Sequence, residues 1–495
     1  MKLTELLSCI PQISQKIPSM EIEELTESSR KCHEKTLFVC IKGYRSDGHA
    51  YAKDAYQRGC RAFLAQKSLE LPEDAFVFLV ENTREALGVL ACRFYGHPSH
   101  RIPVVGITGT KGKTTVACML RGILEKNGIS CGYIGTNGMD YSNVHIDTEN
   151  TTPDAITLQK TLTAMISNGC KAVVMEVSSQ ALAQYRVAGM KFFCCVFTNL
   201  FTDHIGAGEH HDFEDYKACK KRLFTDFDAE TVIYNISDPH GADVVSLASK
   251  ARLVTCSTEE AADYSASALC PAQSDDALGM SFDLICQEKS VSFTIPLIGN
   301  GNALNAVLAS AVARECFGIS LQNAAKALNN ARIPGRSEVI PLENGGIAVI
   351  DYAHNGESLR QLLEHLRRFH PRRLICLFGS VGDRTAIRRK ELGRAAAEYS
   401  DLCILTSDNP GMEDPQKILD EIAEAVSAHQ TPYRCFTDRA EAIRYAVGIM
   451  ETGDILVLAG KGHEAYQLIG SQKIPFSEKD ILLSASKAYQ KESVV

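Results

Sequence analysis

The stretch HPSHRIPVVGITGTKGKTTVACMLRGILEKNG, residues 97–128, decides the reading of the chain. His97-Pro98 and Pro103 punctuate the entry to an apolar strand that ends near Thr108, and a glycine-rich turn follows. Beyond it, Val116, Met119, Leu120, Ile123 and Leu124 recur at helical spacing until Gly128. A strand, a turn of Gly109, Thr110, Lys111 and Gly112, and a helix opening on Lys113, Thr114 and Thr115 offer free backbone N–H groups and a positive helix end to a polyphosphate. In such a loop Lys113 contacts the β- and γ-phosphates and the Thr114 hydroxyl ligates Mg²⁺. Ile107 stands where the generic phosphate-loop pattern has glycine, so the loop alone leaves kinase, GTPase, motor and ligase open.

Outward from this loop the chain reads as α/β in three domains, 1–100, 101–333 and 334–495. The first alternates short apolar runs (37–41, 62–65, 76–80) with helix-like segments. In the second, buried-strand runs recur at 172–175, 194–197 and 232–234, the rhythm of a mostly parallel sheet, with a small antiparallel piece expected over 255–295. In the third, strands over 347–353, 373–379, 401–407 and 454–460 and helices over 356–369, 415–428 and 438–450 predict a doubly wound, Rossmann-like domain.

Composition narrows the function. The 495 residues suit several real cores, and 52 basic against 60 acidic residues give a net charge of −8, which argues against a nucleic-acid or anionic-membrane partner. The 18 cysteines are irregularly spaced, as reduced thiols are. The first residues lack the apolar core of a signal peptide and no stretch reaches membrane-spanning length. A cytoplasmic monomer that is not inserted in a membrane is expected.

Two strand ends add chemistry. Glu176 in MEVSS brings a carboxylate to a central strand's carboxyl end, where a second Mg²⁺ ligand belongs, and Asn199-Leu-Phe-Thr-Asp-His204 offers a histidine. With these, YKACKKRLF (216–224), GNGNALN (299–305), PGR (334–336), DYAH (351–354), DNP (408–410) and AGKGHE (459–464) stand in the order found in Mur ligases. The N-terminal SSR (28–30), GYRSDGH (43–49) and FYGHPS (94–99) match as well, so the chain resembles this family end to end. It is most similar to the branch that adds the third residue of the peptidoglycan stem peptide.

The resemblance implies ATP and Mg²⁺ as cofactors, a UDP-N-acetylmuramoyl dipeptide and a free amino acid as substrates, and an amide formed through an acyl phosphate. It implies nucleotide-sugar, ATP and amino-acid binding for the three domains in turn. It places Ser29 at the uridine nucleotide and Asn150, Thr151, Thr152, Ser178, Gln184 and Arg186 at the dipeptide. Thr114, Glu176, His204 and Lys220 fall around Mg²⁺, with Lys220 carbamylated by CO₂. Asn302, Asn305, Arg336 and Asp351 fall at ATP, and Arg384, Asp408, Asn409, Pro410, Gly411, Gly460 and Glu464 at the amino acid. Family members adding meso-diaminopimelate carry arginine where this chain has Gly411, because a distal carboxylate calls for a cation. On that ground, with Lys111 and the segments over 203–210, 213–216 and 354–357 resembling the lysine-adding branch, L-lysine is the expected amine, with L-ornithine and diaminopimelate as alternatives. Gly301 and Ser28 depart from the family pattern. A divergent paralogue, a folylpolyglutamate synthetase and an ATP-hydrolysing switch protein are the competing readings.

Overall fold

The computed structural model describes residues 1–492 except 44–45, 203–204, 207–209, 249, 275–276 and 383–385. Contacts divide the chain into two units, Met1–Ser265 with Val307–Ala324, and Ala266–Ala306 with Ala325–Val495. Both are α/β, as the alternation of runs predicts, and all 18 thiols are free. Among the described residues no helix is long and apolar enough to cross a membrane.

The first unit holds two sheets. Strands Glu24–Thr26, Thr36–Val39, Ala62–Ala65 and Phe76–Leu79 pair in that order, all parallel. In the larger sheet Arg252–Ser257, Thr231–Asn235, Cys194–Phe197, Val104–Thr108, Ala172–Glu176 and Cys131–Gly135 run parallel, side by side. Gly138–Tyr141 and Val144–Ile146 then add antiparallel. Val104–Thr108 is buried throughout, as a strand covered on both faces must be. Its two neighbours belong to later, separate crossovers, which opens a crevice at its carboxyl end. The helix Lys113–Lys126 leaves from that crevice and buries Val116, Met119, Leu120, Ile123 and Leu124. It stops where Gly128 turns left-handed and Ile129 N–H returns to the Leu124 carbonyl.

In the second unit the strand order is Glu338–Pro341, Ile347–Asp351, Ile455–Ala459, Leu374–Phe378, Leu402–Thr406 and Tyr433–Phe436, parallel except for the first pair. Gly356–Arg367 packs Leu359, Leu362, Leu363 and Leu366 against the sheet, and Asn355 caps it by accepting from Ser358 N–H. Ala277–Cys286 and Lys289–Ile295 pair antiparallel, as the alternation over 255–295 suggests. A second hairpin, Tyr466–Ile469 with Gln472–Pro475, and the helices Ala386–Tyr399 and Glu478–Glu492 were not legible in the sequence.

Gly106, inside the central strand, is required by packing, since a Cβ there would come within 2.7 Å of the Phe192 ring. Gly106→Ala is expected to cost roughly 1–3 kcal/mol, measured by urea denaturation, and to cost less in a Phe192→Leu background.

Candidate functional site

The phosphate loop is built by close approach. Gly109 has φ +151° and lies so near the Thr198 hydroxyl that a side chain could not be accommodated, while Gly112 at φ +85° turns the chain into the helix. Asn199 pins the loop from the next strand, its carbonyl accepting from Thr110 N–H (2.9 Å) and its Oδ1 from Lys111 N–H (2.8 Å). The helix's own ladder opens with Val116 N–H donating to Gly112 O (2.8 Å), so the N–H groups before it lie ahead of that ladder, at the loop. Two ammonium groups converge on one carbonyl. Lys113 Nζ donates to Gly109 O (2.9 Å) and Thr110 O (3.0 Å), and Lys220 Nζ to Gly109 O (2.8 Å). Lys220 is only 1% exposed and lies 4.5 Å from the Tyr216 ring centroid, so it is no solvated surface lysine.

Beside the loop, the fully buried carboxylate of Glu176 accepts from Thr114 Oγ1 (3.0 Å), Tyr133 OH (2.8 Å), Thr136 N–H (2.9 Å) and Thr136 Oγ1 (3.2 Å). A carboxylate and hydroxyls crowded at a phosphate loop are the hard oxygen donors that suit Mg²⁺. His204 lies outside the described residues. Thr151 Oγ1 lies 3.1 Å from Thr136 Oγ1, and Thr152 Oγ1 donates to the Glu176 carbonyl (2.9 Å) and accepts from Ser178 N–H (3.1 Å). Arg186 donates to Thr152 O (2.7 Å) and through Nε and a terminal nitrogen to Gln184 Oε1. Thr151, Thr152, Ser178, Gln184 and Arg186, far apart in sequence, therefore form one wall next to Glu176. Asn150 is exposed at its edge. Ser29 is buried in the smaller sheet's domain, where its hydrogen bond, then Arg58, holds the Asp54 carboxyl below the usual range.

The second unit gathers its own set at the carboxyl ends of its strands. Asp351 Oδ2 accepts from Ser337 N–H (2.7 Å), next to Arg336, whose buried Nε has no hydrogen-bond partner among the described residues and whose guanidinium stacks 4.8 Å from the Tyr352 ring. Asn305 donates to Asn302 (3.1 Å) on the first turns of Asn300–Phe317. Gly301, which departs from the family pattern, faces open space there, so a side chain at this position would meet no clash.

Asp408 and Asn409 follow Leu402–Thr406, and Gly460 and Glu464 follow Ile455–Ala459. Asn409 Nδ2 donates to Glu464 Oε2 (2.8 Å), and a Cβ on Gly460 would meet Asp408 Oδ2 at 2.7 Å. The sequence reading passed over Lys461, although it lies within AGKGHE. Wholly buried, it donates to Asn409 Oδ1 (3.0 Å) and Glu464 Oε2 (3.1 Å) and lies 3.7 Å from Asp408. Burial pushes the Asp408 carboxyl up, with Arg439 and Lys461 opposing. Pro410 and Gly411 follow, Gly411 at φ +58°. Arg384 lies outside the described residues; Gly382, two positions earlier, donates to Asn409 O (2.9 Å). Arg439 carried no local signal, since its partners are distant in sequence. Fully buried, it donates to Glu478 Oε1 (2.8 Å), Ser407 O (3.2 Å) and Ala459 O (2.9 Å), tying together the two strand ends that carry Asp408 and Gly460.

Comparison with known proteins agrees with this layout. The chain matches the Mur ligase family catalytic domain over residues 21–95, the Mur ligase middle domain over 107–313 and the Mur ligase glutamate ligase domain over 335–462. It is 36% identical over 482 residues, 97% of this chain and 98% of the relative, to a UDP-N-acetylmuramoyl-L-alanyl-D-glutamate–2,6-diaminopimelate ligase of Caldanaerobacter subterraneus. The chain belongs to the Mur ligase family. A ligase of the same name from Bacillus cereus is also 36% identical to it, over 98% of each chain. A solved structure of a ligase so named superposes with TM-score 0.72 at 28% identity, covering 99% of both chains. This Mur ligase is thus an ATP-dependent amide ligase that uses Mg²⁺, with the three-domain fold of its relatives.

Two outcomes are expected of this Mur ligase. Gly109→Ala abolishes ATP binding in calorimetry. Arg439→Met, which strands the Glu478 carboxylate in the interior, lowers stability by about 3–5 kcal/mol in urea melts, and Glu478→Gln by less.

Proposed function

We propose that this ligase joins a diamino acid to UDP-N-acetylmuramoyl-L-alanyl-D-glutamate in cytoplasmic peptidoglycan synthesis, and that meso-diaminopimelate is the incoming amine. The observation that carries the reading is the match at 36% identity, over nearly the whole of both chains, to ligases named for that dipeptide and that amine. It favours diaminopimelate over L-lysine, the amine expected from Gly411, Lys111 and the segments over 203–216 and 354–357. One missing side chain is a weak guide, because a distal carboxylate can be held by a cation from another element. L-Lysine is kept as the second reading, on the specific ground that Gly411 presents no cation of its own.

In this mechanism the N–H groups of Gly112–Thr115 hold the ATP phosphates. Lys113 leaves the Gly109 and Thr110 carbonyls to follow the charge that spreads over the transferred phosphoryl group. Thr114 and Glu176, with His204, would hold Mg²⁺, which when bound offsets that same charge. Arg186, oriented by Gln184 and Thr152, would position the dipeptide carboxylate for in-line attack on the γ-phosphate, with Ser178 and Thr151 beside it. Ser29 and Asn150 would contact the nucleotide sugar. Asn302, Asn305, Arg336 and Asp351 would complete ATP binding; the partnerless Arg336 Nε supports this. ADP leaves as the acyl phosphate forms. Asp408 and Glu464 would receive the amino groups of the amino acid; the attacking ammonium would give its proton to one of these carboxylates, and the free amine would then displace phosphate and leave the amide. A CO₂-derived carbamate on Lys220 would replace a positive charge at the loop by an anionic oxygen donor for the metal. The burial of that side chain, unusual for lysine, supports the assignment.

Phosphate release from ATP and Mg²⁺ is expected only with both the dipeptide and an amine, fastest with meso-diaminopimelate among L-lysine, L-ornithine and diaminopimelate. Release with L-lysine alone would install the second reading, and amine-independent release would indicate a switch protein. For the carbamate, labelling with ¹³CO₂ is expected to give a carbamate carbon resonance that Lys220→Arg removes together with activity.

A further inference from the structure

A diaminopimelate pocket must satisfy two carboxylates as well as two ammonium groups. Asp408 and Glu464 serve the ammonium groups. The cations around them are largely spent: Lys461 on Asn409 and Glu464, Arg439 on Glu478, and Arg389 on Glu413 and Glu421. A distal carboxylate therefore calls for another cation, and residue 411 does not supply one.

The hairpin Tyr466–Ile469 with Gln472–Pro475 is stitched to this strand end. Gln467 Nε2 donates to Asp408 O (3.0 Å) and Leu468 N–H to Asn409 Oδ1 (3.0 Å). Gly411 N–H donates to Leu468 O (3.0 Å) and Gly470 N–H to Gly411 O (2.7 Å). Directly across from Leu468 in the hairpin stands Lys473. Its strand is thus two strand spacings from Gly411, about 10 Å, a gap much of which a lysine arm can bridge.

The Lys473 ammonium lies 4.6 Å from the Tyr466 ring centroid, and Lys461 Nζ lies 5.7 Å from the same ring. Tyr466 borders the acidic pocket, since burial first, then Glu464 and Asp408, push its hydroxyl up. Among the described residues no carboxylate lies within ion-pair distance of Lys473, which leaves its charge for a ligand.

We propose that Lys473, carried on this hairpin and steered by the Tyr466 ring, binds the distal carboxylate of the incoming amino acid and so supplies the cation missing at Gly411. The proposal rests on diaminopimelate as the amine. It makes Lys473 a specificity-determining residue.

The test is steady-state kinetics of the full-length wild type, Lys473→Met and Lys473→Arg with meso-diaminopimelate and with L-lysine, at saturating ATP and dipeptide. Lys473→Met is expected to raise KM for diaminopimelate about tenfold or more, with kcat within about twofold and the L-lysine response unchanged. Lys473→Arg is expected to stay near wild type with diaminopimelate. An unchanged thermal shift with ATP checks that the variants are folded. Wild type and Lys473→Met alike in KM for diaminopimelate would overturn the role of Lys473 and leave the amine assignment standing. Equal losses with both amines would also overturn it. A wild type that does not turn over diaminopimelate would overturn both.

Discussion

Burying a carboxylate is affordable only where donors replace the water it loses, and at Glu176 they come from three places. Thr114 reaches it from the first turn of the phosphate-loop helix, Tyr133 from the neighbouring strand, and Thr136 through both backbone and hydroxyl from the turn after it. This one group thereby fixes the helix start relative to two strand ends, and its own backbone carbonyl anchors Thr152 and so the wall that ends in Arg186. This carboxylate, the phosphate loop and the wall that ends in Arg186 are positioned by the same few hydrogen bonds. The close packing of Gly135 against this carboxylate leaves it little room to move.

The second unit solves a similar problem with the signs reversed. Arg439 is a buried cation whose donors go to two strand-end carbonyls and to Glu478, so a helix beyond the sheet braces the loops that hold Asp408 and Gly460. Lys461 does the same at shorter range for Asn409 and Glu464. Both arrangements fix polar groups at the strand ends, so that a ligand binding there would meet a lower ordering cost.

The parallel-sheet scaffold was legible because fully buried strands announce themselves as apolar runs: Cys194–Phe197, Leu374–Phe378, Leu402–Thr406 and Ile455–Ala459 were placed to within a residue or two. A strand-end position singled out Glu176 for the same reason, since an abrupt change from apolar to polar marks a sheet's carboxyl edge, whereas Asp408 and Glu464 came only from the family resemblance. Tyr133, Thr136 and Arg439 were not legible. Their carboxylate partners lie 39 to 43 residues away in sequence, and no periodicity encodes which donor will face a buried charge. The hairpin Tyr466–Pro475 escaped notice because its pattern is short and its outer strand is wholly exposed. Gly411 was read as an empty position, whereas its backbone is the hairpin's point of attachment.

The path of the chain through the two units bears on how the protein is made. The second unit begins at Ala266, the chain returns to the first at Val307, and it departs again at Ala325. A nascent chain emerging from the ribosome can therefore lay down both sheets of the first unit early, yet must wait for residues 307–324 before that unit is complete. In the meantime the partly finished sheet and residues 266–306 are both exposed to solvent without their full complement of neighbours, a window in which chaperones would be expected to act.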